Sequence, residues 1–427
     1  MRKLYLLGLG GALLATAALA QSITLPQVTS IGPTDLFQDI PSGVPTAQSV
    51  YAPAPLLGNY SQTLPGNNPE NLLIGGDATT NLWQRATTGA SVTTTTTYGG
   101  PDRWAYTSGT NTAMTVSRVS TAGEVAAGSL YGFKVARTAA QTGVVQVCIS
   151  QAVESANSYL AAGQTMELDV NIATGSTFSG TGVALYISYG TGSDEGVAKM
   201  VYGINAGGGA GAAWTGQVNK TATITIPASS GVKRYTFAAP VASTATEVGV
   251  SICWTPVGTA GANDYITLSQ IQLVRNNALT TVAGTNGVAL STNDRRAKAF
   301  AYRTLGQETL LQQRYYYQIT ETATIWPIAP CVAVDVTHTN CLVQFPVPMR
   351  TTPTASMTAG FASPTSTTQA TLGACSALAA ATTVTSTVLN TLNVLVNCTA
   401  TTIPAAGVGS FLYSNNGAGV IRASAEL

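Results

Sequence analysis

Charge is scarce in this chain. Asp, Glu, Lys and Arg make up 9% of its 427 residues, against about 25% in an ordinary soluble protein. The net charge is +1, and no basic stripe is visible beyond the short run 294–298, so nucleic acid is excluded as a partner. His338 is the single histidine. It lies in a Thr-rich stretch that reads as a surface turn, which leaves no evident base for a Ser or Cys nucleophile. No Cys-x-x-Cys is present, so a Cys/His zinc site is not expected. The Gly-rich stretch 203–214 lacks the Lys-Ser/Thr ending of a phosphate-binding loop. No EF-hand loop occurs; structural calcium held by loop carboxylates is the one cofactor left open, and none is otherwise implied.

With so little charge, the surface must be built from Thr, Ser, Asn, Gln and Gly. Hydrophobic residues reach 45%, enough for a packed core. Thr and Val favour strands, while Gly, Asn and Pro favour turns, so the fold expected is all-β. Residues 1–20 carry Arg2 and Lys3 ahead of an apolar run and end on a small-x-small site, Ala18-Leu19-Ala20. That is the pattern of a signal peptide, and it predicts export; an uncleaved apolar anchor is the alternative. Residues 21–70 form an extended arm rich in Pro, Gly and Ser. Strand-like segments alternate with turn signals over 71–276, which predicts a jelly-roll β-sandwich. In "ITLSQIQL" the apolar residues break strict alternation, so a bulge is expected there. A connector follows over 277–314. Its short helix starts at a Thr304–Gln307 capping box, with Leu310 and Leu311 on the inner side. A smaller β-sandwich occupies 315–427.

Six cysteines follow the leader: Cys148, Cys253, Cys331, Cys341, Cys375 and Cys398. In an exported chain an even count suggests disulfides. Pairing within domains gives Cys148–Cys253 and leaves three patterns for the rest. A hairpin between Cys331 and Cys341 favours that pair, with Cys375–Cys398 by elimination.

Residues 71–85, "NLLIGGDATTNLWQR", are followed by "PDRW" at 101–104. Two of the five tryptophans fall here, beside Arg85, Asp102 and Arg103. The expected reading is structural: Trp83 and Trp104 anchor the core, and Arg85 pairs with Asp102 near the rim. Glu167 and Asp169 sit two apart on one predicted strand and share a face, the one carboxylate pair that a depolymerase could use. Sugar binding needs exposed rings beside polar groups, and the candidates are Trp214, Tyr186 and Tyr202. Enzymatic activity is not expected.

Several motifs in series resemble bacteriophage tail-fibre and related virion proteins with a carbohydrate-binding-module-like jelly roll. These are "NLLIGGDATTNLWQR", "PDRWAY", "LSQIQLV", "FAYRTLGQETLLQQRYYYQI", "VQFPVPMRTTPTAS" and the end "IRASAEL". Gly75, Val274 and Gln312 depart from the pattern, which has Asn, an acid and Cys there. The resemblance implies a non-enzymatic virion structural protein: a tail fibre, a spike or a head-surface appendage. Its implied partners are other virion proteins and copies of itself, in a homo-oligomer such as a trimer, with host-surface polysaccharide as a ligand. Its implied place is the virion surface. The leader, unusual for a virion protein, keeps an exported bacterial glycan-binding or adhesin-like protein as the alternative.

Overall fold

Antiparallel pairing of Thr- and Val-rich strands dominates the computed structural model. It describes residues 71–86, 90–92, 96–108, 114–204, 211–277, 288–290, 298–320, 327–334, 338–358, 361–362, 383–385, 389, 391–397, 407, 409–414 and 419–427. All fall within one compact unit, Tyr60–Leu427. The leader, the arm, Cys375 and Cys398 lie outside the described residues.

The larger sandwich packs two sheets. In the front sheet the strand order is Ala90–Val92, Met114–Val119, Gly132–Arg137, Tyr265–Arg275, Thr165–Thr174, Lys233–Pro240 and Val288–Leu290. In the back sheet it is Thr97–Tyr98, Ala105–Thr107, Val147–Val153, Glu247–Trp254, Gly182–Gly190 and Val218–Thr225. Most of the central neighbours in space are distant in sequence, as in a jelly roll. Alternation puts Met166, Leu168, Val170 and Ile172 inward from the front sheet, against Ile149, Leu185, Val250 and Ile252 from the back. Fully burying one such side chain is worth about 1.5–3 kcal/mol. A register shift between Ser269 and Gln272 marks the bulge, with Gln270 in a left-handed conformation at φ 49°.

The smaller sandwich packs a three-stranded sheet (Tyr316–Thr320, Val420–Ser424, Thr354–Met357) with a six-stranded one. The six run Phe361–Ala362, Gly409–Ser414, Pro327–Ala333, His338–Gln344, Thr391–Asn397 and Thr383–Thr385. His338 therefore opens a strand rather than sitting in a turn.

Two disulfides join residues directly opposite each other on neighbouring strands: Cys148–Cys253 in the back sheet and Cys331–Cys341 in the small sandwich.

The helix Leu305–Gln313 has the capping box, but its orientation corrects the sequence expectation. Glu308 and Gln312 are buried, while Leu310 is half exposed. Apolar burial was the wrong guide here, because the surface facing the helix is bare backbone in need of acceptors.

Candidate functional site: a buried joint and a closed carboxylate face

That backbone belongs to residues 71–85. Gly75 holds φ 66° and Gly76 lies against the bulged strand, where a Cβ would meet Ile271 O at 1.8 Å. The loop forms few ladder bonds of its own, so buried side chains satisfy it. Gln151 mimics a peptide, accepting from Ile74 N at 2.7 Å and donating to Ile74 O at 2.8 Å. Glu308 accepts from Gly75 N at 2.9 Å and Gln312 from Leu82 N at 2.6 Å. Trp104 Nε1 donates to Gly75 O at 2.9 Å. Arg303 donates to Leu73 O, to Asn71 O and to Glu308.

The two arginines of the opening motifs point the other way, toward the small sandwich. Arg85 donates to Asp102 Oδ1 and to Glu426 Oε1, each at 3.0 Å. Its guanidinium lies 3.5 Å from the centre of the Tyr316 ring. Arg103, held at φ 71°, donates to Glu426 Oε2 at 2.6 Å and to Ala152 O at 2.7 Å. It stacks 3.7 Å over Tyr315. Gln84 donates to Asp102 at 2.8 Å and to Tyr316 O at 3.0 Å, and its Oε1 accepts from Gln318 N at 2.9 Å. Arg314 forks onto Glu154, and Arg350 bonds Asp194 and Ala425 O. Tyr98 donates to Leu427 O at 2.6 Å. Trp83 and Trp104 are buried against Phe133. Asp102 is fully buried rather than at a rim. Burial outweighs the Arg85 charge and Gln84, and lifts its carboxyl to about 7.

Glu167 and Asp169 do share the outer face of the front sheet, but that face is closed. Residues 298–301 cross it. Glu167 accepts from Lys298 N at 2.8 Å and from Asn276. Asp169 accepts from Gln272 at 2.7 Å and from Thr236, and pairs with Arg234 at 2.6 Å. Gln272 brackets the crossing segment, donating to Ala299 O at 3.2 Å and accepting from Ala301 N at 2.8 Å. Burial, then the neighbouring Asp169, pushes the Glu167 carboxyl up to about 8. Both carboxylates are buried, so neither can straddle a sugar bond. Among the described residues no group of three or more His, Cys, Asp or Glu is placed to hold a metal ion.

Trp214 corrects another expectation. It is 3% exposed, packed over Gly249 beside Met200, and its Nε1 donates to Gly196 O at 2.8 Å. With the helix Val197–Ile204 and the Cys148–Cys253 bridge it seals the outer face of the back sheet. A flanking Gly-rich segment suggested exposure, whereas side-chain-free Gly249 is what admits the indole. Tyr186 is half-buried against this cluster, and Tyr202 is half-buried on the helix. Among the exposed rings that sequence reasoning missed is Tyr302, 42% exposed. It stands edge-on to Phe300 at 4.8 Å and is fixed by Gln270 Nε2 at 2.6 Å. No periodic signal marks it. Glu426 was also missed, since "IRASAEL" reads as an ordinary strand end.

No protein-family model matches this chain, and no curated protein matches it in sequence. Among solved structures, the enzymatically active domain of tailspike protein 4 of Bacteriophage CBA120 is similar at 11% identity and TM-score 0.30, covering 48% of this chain. The chain spans 21% of the length of that domain. A xylan-binding domain of CBM 22 is similar at 14% identity and TM-score 0.25, covering 44% of this chain and 95% of the other. A sugar-binding protein of Bacteroides thetaiotaomicron, so described from its crystal structure, is similar at 13% identity and TM-score 0.26, covering 48% and 100%. Likenesses this weak carry no weight for function.

Proposed function

We propose that this chain is a non-enzymatic structural module of an exposed surface assembly, a virion appendage such as a tail fibre, spike or head-surface protein. It holds two β-sandwiches in fixed orientation, associates with itself and with other assembly proteins, and binds host-surface glycan. The observation that carries the reading is the clamp of Arg85 and Arg103 on Glu426. A chain with so few charges spends them on rigidity between its two sandwiches, as a load-carrying or display part requires. The closed state of Glu167 and Asp169 supports binding over cleavage. Two disulfides fit an oxidising, exported location. The exported bacterial glycan-binding reading rests on the same features, and exposed Tyr302 beside Phe300 supports glycan contact in both.

The test is retention of the purified protein on immobilised host-surface polysaccharides, run in parallel with a reducing-end assay. The expected result is retention without release of reducing ends. Release that Glu167→Gln abolishes would overturn the non-enzymatic reading. Silence on every polysaccharide would remove glycan binding and leave the structural role.

A further inference from the structure

The faces described so far are occupied: residues 298–301 lie over Glu167 and Gln272 on the front sheet, the Trp214 cluster lies on the back sheet, and the two inner faces cover each other. The six-stranded sheet of the small sandwich differs. Its inner face carries Ala329, Cys331, Cys341, Val343, Leu392 and Leu412. Its outer face carries Pro330, Val332, Leu342 and Phe411, with Val332, Leu342 and Phe411 exposed at 44%, 40% and 56%. These residues are contiguous, because Pro330 pairs with Phe411 and Val332 with both Gly409 and Asn340. The strand register places Asn340, Gln344, Asn393 and His338 on this face as well, and no Asp, Glu, Lys or Arg among the described strand residues.

We propose that this face is where a second copy of the chain docks, sheet against sheet about a two-fold axis. The proposal rests on the self-association in the reading above and names its surface. Three observations select a second copy. First, a two-fold contact sets a surface against itself, which a charged patch resists and an uncharged one accepts. Second, the face contains its own knob and hole. Phe411 projects two residues from Gly409, where, among the described residues, a Cβ would meet nothing nearer than Cys331 O at 3.9 Å, so the ring of one copy can enter the gap of the other. Third, the area suffices. The six strands hold 32 residues between them, which at ~3.3 Å per residue and ~4.8 Å between strands give ~500 Å² per face. Two such faces bury ~1,000 Å², about what a specific interface needs.

Sedimentation velocity of the full chain across micromolar concentrations tests this. Wild type is expected to sediment as a dimer. Phe411→Asp is expected to weaken dimerisation roughly tenfold or more, with unchanged far-UV circular dichroism and thermal midpoint, and Phe411→Leu to retain most of it. Leu342→Asp is the second variant, in case Phe411→Asp perturbs folding. A wild-type monomer at every concentration would overturn both this proposal and the self-association it rests on. Association that survives Phe411→Asp and Leu342→Asp, or a trimer, would overturn this proposal alone.

Discussion

Arg103 and Glu426 lie 323 positions apart in sequence and 2.6 Å apart in space. Glu426 shares its other oxygen with Arg85 at 3.0 Å, so one carboxylate bridges two arginines that belong to the other sandwich. Arg103 and Glu426 are both buried. Removing one member of a buried pair leaves the others uncompensated, at a cost of about 3–5 kcal/mol. Glu426→Gln is therefore expected to lower the thermal midpoint more than Glu195→Gln, whose Lys199 partner is partly exposed. Equilibrium unfolding of both variants checks this. Equal losses would mean that the clamp carries no special weight.

Alkaline pH should loosen the molecule. Glu167 is raised to about 8 and Asp102 to about 7 in the folded chain, burial being the main cause in both. The unfolded chain has ordinary carboxyls, so it loses these protons at lower pH than the folded chain does. The stability contributed by the protonated forms is complete below about pH 4 and disappears as pH rises through 7 to 8. Thermal midpoints measured from pH 5 to pH 9 should fall, and Glu167→Gln should flatten the upper part of that fall. A profile that rises over this range refutes the assignment.

The two disulfides should be unequal. Cys148–Cys253 closes a loop with a sequence separation of 105 and Cys331–Cys341 one of 10. Chain entropy assigns about 4–5 kcal/mol to the first and about 2–3 kcal/mol to the second. Double Cys→Ser variants of each pair, compared by denaturant unfolding, are expected to rank in that order.

Gly75→Ala should be costly because its φ of 66° disfavours a side chain and a Cβ would meet the Asn81 amide at 2.0 Å. A loss of about 2–3 kcal/mol is expected for such strain and overpacking. Thr304→Ala removes an exposed cap and is expected to cost only about 1 kcal/mol. If the two losses match in thermal unfolding, the loop is not the tight part of the joint.

Much of this architecture is legible in the residues. Period-two patterning marks the strands, and the break in "ITLSQIQL" marks the bulge, because side-chain alternation is a local property. The departures from the resembled motifs also acquire reasons. Gly75 occupies a left-handed position that Asn also tolerates. Val274 pairs across the sheet with Glu167, where an acid would add a like charge. Gln312 supplies an amide to Leu82 N. What stayed hidden was every feature set by long-range contact. Glu308 and Gln312 face inward because an unpaired loop lies 230 residues away in sequence, and no helical periodicity encodes that. Trp214 is buried because Gly249 makes room on a distant strand. Glu167 and Asp169 look like a reactive pair until the connector is seen lying over them.

The joint also has a mechanical meaning. Gln84 and Gln318 are tied by two hydrogen bonds, beside the Arg85 and Arg103 bonds to Glu426 and the Arg314 fork on Glu154. These ties arise on separate stretches of chain, so a pull that slides one sandwich past the other stretches them simultaneously, whereas a pull that peels from one edge breaks them singly. The molecule should therefore resist shear far better than peeling, and the direction in which it is tugged will set the force it survives.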